Sequence, residues 1–176
     1  MSKRNNKTGS AKPANKAAAS KFAVAATTAG LAPQPGMSVV EGRYRPSIQA
    51  KPDWKHTGSV DLDAHFVAAE PGEPRWDYGL GIANGVHEFA FWVEPHGADS
   101  TGRVDEVIAK KRWLDDKLSQ PPFGELSAMT DAASQAGHSA YNWVFSSSMR
   151  ILKNSPEAKR LAKAGIRMIR HLQLPS

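Results

Sequence analysis

The fold is decided by residues 75–96, which read RWDYGLGIANGVHEFAFWVEPH. Two apolar runs with strand-like composition flank Asn84-Gly85, and an Asn-Gly pair between such runs is a strong hairpin signal. Both faces of the second run are largely apolar, which is typical of an interior strand covered on both sides. Period-2 alternation predicts that one face of the first strand carries Trp76, Tyr78, Leu80 and Ile82, with Asp77 on the other.

Helices are predicted around this hairpin. The clearest runs from Arg103 to Leu118, with an apolar stripe interrupted by Lys111, and it ends before Pro121-Pro122. Helical spacing also begins after Asp61, residues 141–146 look like a third strand, and Ser155-Pro156 predicts the start of a final helix. We therefore expect an α+β (or α/β) domain: a small mixed sheet built on the central hairpin, with helices packed on it.

Composition divides the chain into three parts. Residues 1–36 are rich in small and polar residues, and we predict a disordered basic arm because they offer little apolar surface to offset the entropy of ordering. Residues 37–58 are predicted to be an extended linker. Residues 59–176 are predicted to form a single α+β domain.

The net charge of +6 conceals an asymmetry. Residues 1–60 hold 10 Lys and Arg against 2 acidic residues, residues 61–149 hold 6 against 14, and residues 150–176 hold 7 against 1. Basic ends either contact nucleic acid through phosphates or keep the chain soluble. The predicted nucleic-acid contacts are Lys3, Arg4 and Lys7 in the arm, and Lys163, Arg167 and Arg170 on the final helix.

Some classes are disfavoured by composition. The chain has no cysteine, which excludes a disulfide framework and thiolate metal sites and fits a reducing compartment. No run approaches the roughly 18 apolar residues that a membrane span needs, and no signal peptide is recognisable. The histidines lack zinc-ligand spacing. We expect a cytoplasmic protein.

Three polar residues sit on or beside the apolar strands: Asp77, Glu94 and His96. Two carboxylates converging from neighbouring strands suit a hard cation such as Mg²⁺, which prefers oxygen ligands and can activate a water molecule. Lys110 or Lys111 on the following helix could add a positive charge. We predict Asp77 and Glu94 as metal ligands, and His96 or Lys111 as the charged partner.

On these residues the chain resembles the PD-(D/E)XK superfamily, which has the restriction-endonuclease-like fold. Asp77 matches the first acidic position, Glu94-Pro95-His96 matches the second motif, and a helix follows. His96 stands where the superfamily has lysine, and no proline precedes Asp77. The resemblance covers about residues 59–150 and implies Mg²⁺-dependent phosphodiester cleavage. The same region also resembles small uncharacterised bacterial proteins, which implies a fold family and no activity.

Each residue also has a structural interpretation. Asp77 could pair with Arg75, Glu94 could accept from a backbone amide or from Lys111, and His96 could be a hydrogen-bonded turn residue. Three functions therefore stay open. They are a Mg²⁺-dependent nuclease-like enzyme, a non-catalytic nucleic-acid-binding module that uses the basic termini, and an interaction or inhibitor protein whose acidic core meets a basic partner.

Overall fold

The computed structural model describes residues 19–97, 102–145, 151–152 and 154–176. These residues form a mixed sheet with helices packed on it, so the predicted α+β class is confirmed. In chain order the elements are α1 (Lys21–Thr28), β1 (Ile48–Ala50), β2 (Lys55–Asp61), α2 (Leu62–Phe66), β3 (Tyr78–Ala83), β4 (Glu88–Pro95), α3 (Gly102–Leu118), α4 (Gly124–Gln135), β5 (Tyr141–Val144), α5 (Pro156–Lys163), β6 (Ile166–Ile169) and β7 (Leu172–Leu174).

The main sheet has the strand order β2-β3-β4-β5-β6. Strand β3 is antiparallel to both of its neighbours, whereas β5 and β6 run parallel to β4. The carboxyl ends of β2, β4, β5 and β6 therefore lie along one edge, and the start of β3 lies at the same edge. A separate parallel ribbon of β1 and β7 accompanies the main sheet.

The predicted hairpin is confirmed, with Tyr78 paired to Val93 and Ile82 paired to Phe89. Its two faces are buried in different cores. One core contains Ala90 and Trp92 together with residues of α1, α3, α4 and α5, and we call this the helix side of the sheet. The face shared by Tyr78, Leu80 and Ile82 is also confirmed, but Trp76 is on the helix side, because it precedes β3 and does not continue the strand's alternation.

Glycines in β3 allow large rings to lie against the strand. A Cβ on Gly79 would be 2.6 Å from Cζ3 of Trp92, and a Cβ on Gly81 would be 2.5 Å from Phe22. These close approaches explain why Gly79-Leu80-Gly81 occurs inside a strand, where glycine normally weakens pairing.

Helix α1 corrects the prediction that residues 1–36 are a disordered arm. Ser20 caps the helix by accepting from the amide of Ala23, and Phe22 is fully buried against β3. The carboxylate of Glu88 accepts from the amides of Lys21 and Phe22 at 3.0 and 3.1 Å. These contacts attach α1 to the start of β4, so the folded unit includes residues from at least Lys21 onward. Residues 1–18 lie outside the described part.

The predicted linker, residues 37–58, is also part of the fold. Residues 37–54, which we call the strap, cover the second face of the sheet, and Val40 and Ile48 are fully buried there. Strand β2 begins at Lys55. The predicted domain start at residue 59 is therefore wrong, because apolar residues of the strap and of α1 complete both cores.

The final helix is shorter than predicted. Helix α5 begins after the Ser155 cap as expected, but it ends at Lys163, and Gly165 follows with a φ of +73° that only glycine adopts readily. Arg167 lies on β6 and Arg170 follows it, so the prediction that both lie on a helix is wrong. Within the described ranges, no helix combines the length and apolar character that crossing a bilayer requires.

Candidate functional site

Two carboxylates meet at the edge of the sheet where β4 ends. Because Tyr78 pairs with Val93, Asp77 lies opposite Glu94, as the hairpin register requires. Glu94 is fully buried, and its Oε2 accepts from the Asp77 amide at 3.0 Å. The predicted convergence of Asp77 and Glu94 is therefore present, and a backbone amide fixes one oxygen of Glu94.

Lys110 of α3 provides the positive charge between these carboxylates. Its Nζ donates to Asp77 Oδ1 at 3.0 Å and to Glu94 Oε1 at 2.5 Å. The neighbouring Lys111 points elsewhere: it pairs with Asp115 and lies 3.9 Å from the centroid of the Tyr141 ring. Lys111 was the predicted site residue, so the structure corrects this choice to Lys110.

His96 completes the cluster at the pocket side. Its Nδ1 lies 2.6 Å from Glu94 Oε1 and 3.6 Å from Asp77 Oδ2. The shorter distance would allow a hydrogen bond, but the ring N–H is not directed at the oxygen, and Nδ1 is buried without a hydrogen-bond partner. Nδ1 could bind a ligand after losing its proton, which the neighbouring Glu94 favours retaining.

The cluster has more negative than positive charge. Burial, followed by repulsion from Glu94, raises the pKa of Asp77 to about 7, despite the opposing effect of Lys110. The contact with Glu94 raises the pKa of His96. Burial lowers the pKa of Lys110, but the two carboxylates outweigh this effect, so the net change is upward. One lysine therefore does not fully neutralise two carboxylates.

The cluster opens into a pocket of about 340 Å³. Three further acidic residues line it, and each has its own partner: Asp61 caps α2, Asp63 pairs with Arg75, and Glu41 pairs with Arg43. The pairing of Arg75 with Asp63 also shows that Arg75 is not the partner of Asp77. The pocket is acidic overall.

Asp77, Glu94 and His96 form a group that could hold a metal ion. One ligand atom from each lies within 4.8 Å of the others, and His96 Nδ1 has no competing hydrogen bond. Two carboxylates and one imidazole are a chemically suitable donor set for a divalent cation. The raised pKa of Asp77 points the same way, because a cation would offset the charge that a proton otherwise neutralises.

Three of the predicted nucleic-acid contacts lie in the described part of the chain, and none of these three lines the pocket. Lys163 is exposed at the end of α5, Arg167 is exposed on β6, and the guanidinium of Arg170 lies 5.5 Å from the centroid of the Phe145 ring. Lys3, Arg4 and Lys7 lie outside the described residues. The structure thus brings together the three residues of the hairpin motif, and Lys163, Arg167 and Arg170 do not line their pocket.

The chain matches no protein-family model, and comparisons with curated proteins and with solved structures found no match.

Proposed function

We propose that this chain is a divalent-metal-dependent phosphodiesterase of the nuclease type. The observation that carries the proposal is the convergence of Asp77, Glu94 and Lys110 at the end of a hairpin, beside a pocket. The resemblance to the PD-(D/E)XK superfamily supports the same chemistry, with the lysine on the following helix instead of at position 96.

Asp77 and Glu94 would hold the metal, with His96 Nδ1 as a third ligand. Carboxylate oxygens favour Mg²⁺, whereas an added imidazole makes Mn²⁺ a good alternative. The bound ion would lower the pKa of a water molecule and stabilise negative charge on a phosphate.

The remaining roles belong to side chains of this chain. Lys110 is buried and held by two carboxylates, so its ammonium is a fixed positive charge beside the reacting phosphate. His96 lines the pocket, and the neighbouring Glu94 raises the pKa of its ring, so the imidazolium could give a proton to a leaving oxygen when His96 is not a metal ligand. The absence of cysteine fits the cytoplasm as the proposed compartment.

Calorimetry with Mn²⁺ and Mg²⁺, together with cleavage of end-labelled DNA and RNA, tests the proposal. The wild type should bind one ion per chain and cleave at least one substrate, and Asp77→Asn should lose both properties. Asp116→Asn, an exposed position on α3 outside the site, is the matched control and should behave as wild type. No metal binding and no cleavage by the wild type would refute the proposal and favour a buried structural network.

A further inference from the structure

A second depression of about 490 Å³ lies between β6 and the β1–β7 ribbon. Lys51, Arg167 and His171 line it, together with Gln49 and Gln173. No Asp or Glu side chain is among the described residues that line it. We call this the basic groove, and its charge is opposite to that of the carboxylate pocket.

The two permanent cations of the basic groove are available to a ligand. Lys51 and Arg167 are exposed, and within the described ranges neither makes an ion pair. Many other cations of the domain are already paired, for example Arg160 with Asp105 and Lys117 with Glu70. Uncompensated charges that converge on one concave surface are an electrostatic footprint of polyanion binding.

The basic groove is next to the carboxylate pocket. Strap residues 41, 43 and 44 line the pocket, and strap residues 46, 47, 49 and 51 line the groove. Across the sheet, Arg167 is in register with Asn142 and Val93, which places it on the strap side, whereas the Glu94 side chain is on the helix side. Two strand spacings separate Arg167 from β4, a backbone distance of about 10 Å. The strap, which lines both the groove and the pocket, is therefore the path along which a strand with several phosphates would reach both places.

We infer that the basic groove binds the phosphodiester backbone of a nucleic-acid strand whose reacting phosphate lies in the carboxylate pocket. This inference rests on the proposed function and names its substrate class. The acidic pocket alone repels a polyanion, so attraction must come from cations outside it. Lys51 and Arg167 would position the strand through its phosphates without reading its sequence.

The test measures binding of a fluorescein-labelled 20-nucleotide single-stranded DNA by anisotropy, with the full chain in EDTA and over a range of salt concentrations. The variant is Lys51→Gln with Arg167→Gln. The matched control is Lys159→Gln with Arg112→Gln, which removes one Lys and one Arg that are exposed on α5 and α3 and do not line the groove. Both double variants lose the same charge.

Each lost phosphate contact should reduce the slope of log affinity against log salt by about 0.7, so the groove variant should lose about 1.4. Relative to 1 M salt, this corresponds to roughly 25-fold weaker binding at 0.1 M. The DNA affinity of the control variant at 0.1 M salt should stay within about twofold of that of the wild type. Equal losses in both variants, or no binding by wild type, would overturn the inference.

The outcome separates this inference from the proposed function. The inference is judged by metal-free DNA binding, and the proposed function by metal binding and cleavage. Normal metal binding and cleavage by the wild type, with DNA binding by the Lys51→Gln/Arg167→Gln variant no weaker than that of the control variant, would refute the inference and leave the proposed function standing. If DNA binding depends on the groove but the wild type binds no metal, the proposed enzymatic function is refuted. The inference then stands for a nucleic-acid-binding protein.

Discussion

Asp77→Asn should stabilise the protein at pH 8 when no metal is present. The folded state keeps a proton on Asp77 up to a pKa of about 7, whereas the unfolded chain releases it near 3.8. Between these values the folded state binds more protons than the unfolded state, so the free energy of unfolding falls as pH rises. The asparagine variant has no such proton to lose.

The magnitude follows from the two pKa values. A rise from 3.8 to about 7 corresponds to about 4 kcal/mol at about 1.4 kcal/mol per pKa unit. This is an upper limit, because the amide keeps one oxygen for Lys110 but places an NH₂ group near His96. We expect a gain of about 2 kcal/mol at pH 8 and almost none at pH 4. His96 also contributes stability that is lost as pH rises through its raised pKa. The free energy of unfolding of the Asp77→Asn variant should therefore still fall somewhat as pH rises.

Urea unfolding in EDTA at pH 4 and pH 8 measures this difference, with Asp116→Asn as the exposed control. With metal present, the wild type should become more stable than Asp77→Asn. A ligand at 100 times its Kd stabilises the wild type by about 2.7 kcal/mol, and the variant lacks the site. If Asp77→Asn is less stable than wild type at pH 8 in EDTA, Asp77 belongs to a stabilising ion-pair network and the reasoning fails.

Three further predictions concern individual side chains. Lys110→Met should lower the cleavage rate by about 10²–10³-fold, the usual cost of losing one preorganised charge, whereas Lys111→Met should leave it within a few fold in the same assay. Phe22→Ala should lower the free energy of unfolding by about 3–5 kcal/mol because Phe22 is fully buried, whereas Val24→Ala, at a position 50% exposed, should change it by under about 0.5 kcal/mol. Gly79→Ala should destabilise by about 1–3 kcal/mol in urea unfolding, because its Cβ would overlap the indole on the facing strand.

The hairpin and its site could be predicted because their determinants are local. The Asn84-Gly85 turn and the apolar runs define two paired strands, and strand pairing then brings Asp77 opposite Glu94. The choice between Lys110 and Lys111 could not be made in this way. Both lie three or four residues from Val107 and Leu114, so helical spacing fits either one. Only the position of α3 against the sheet decides which lysine is buried.

Helix α1 and strand β6, near the two ends of the domain, could not be predicted from local sequence patterns. Helix α1 has only eight residues, and it is fixed by the carboxylate of Glu88, more than 60 residues away. Strand β6 has four residues, too few to distinguish period 2 from helical spacing. Gly165, with its positive φ, was the available signal that α5 ends before β6.

The charge of the site links its stability, its metal and its substrate. With His96 neutral, two carboxylates and one lysine give a net charge of −1, and burial together with repulsion from Glu94 raises the pKa of Asp77 to about 7. Binding of a divalent cation would change the net charge to +1, which complements the single negative charge of a phosphodiester. Without metal, the site would lower the free energy of unfolding; with metal, it would attract the substrate phosphate. A site that lowers stability in order to act is expected where function and stability compete.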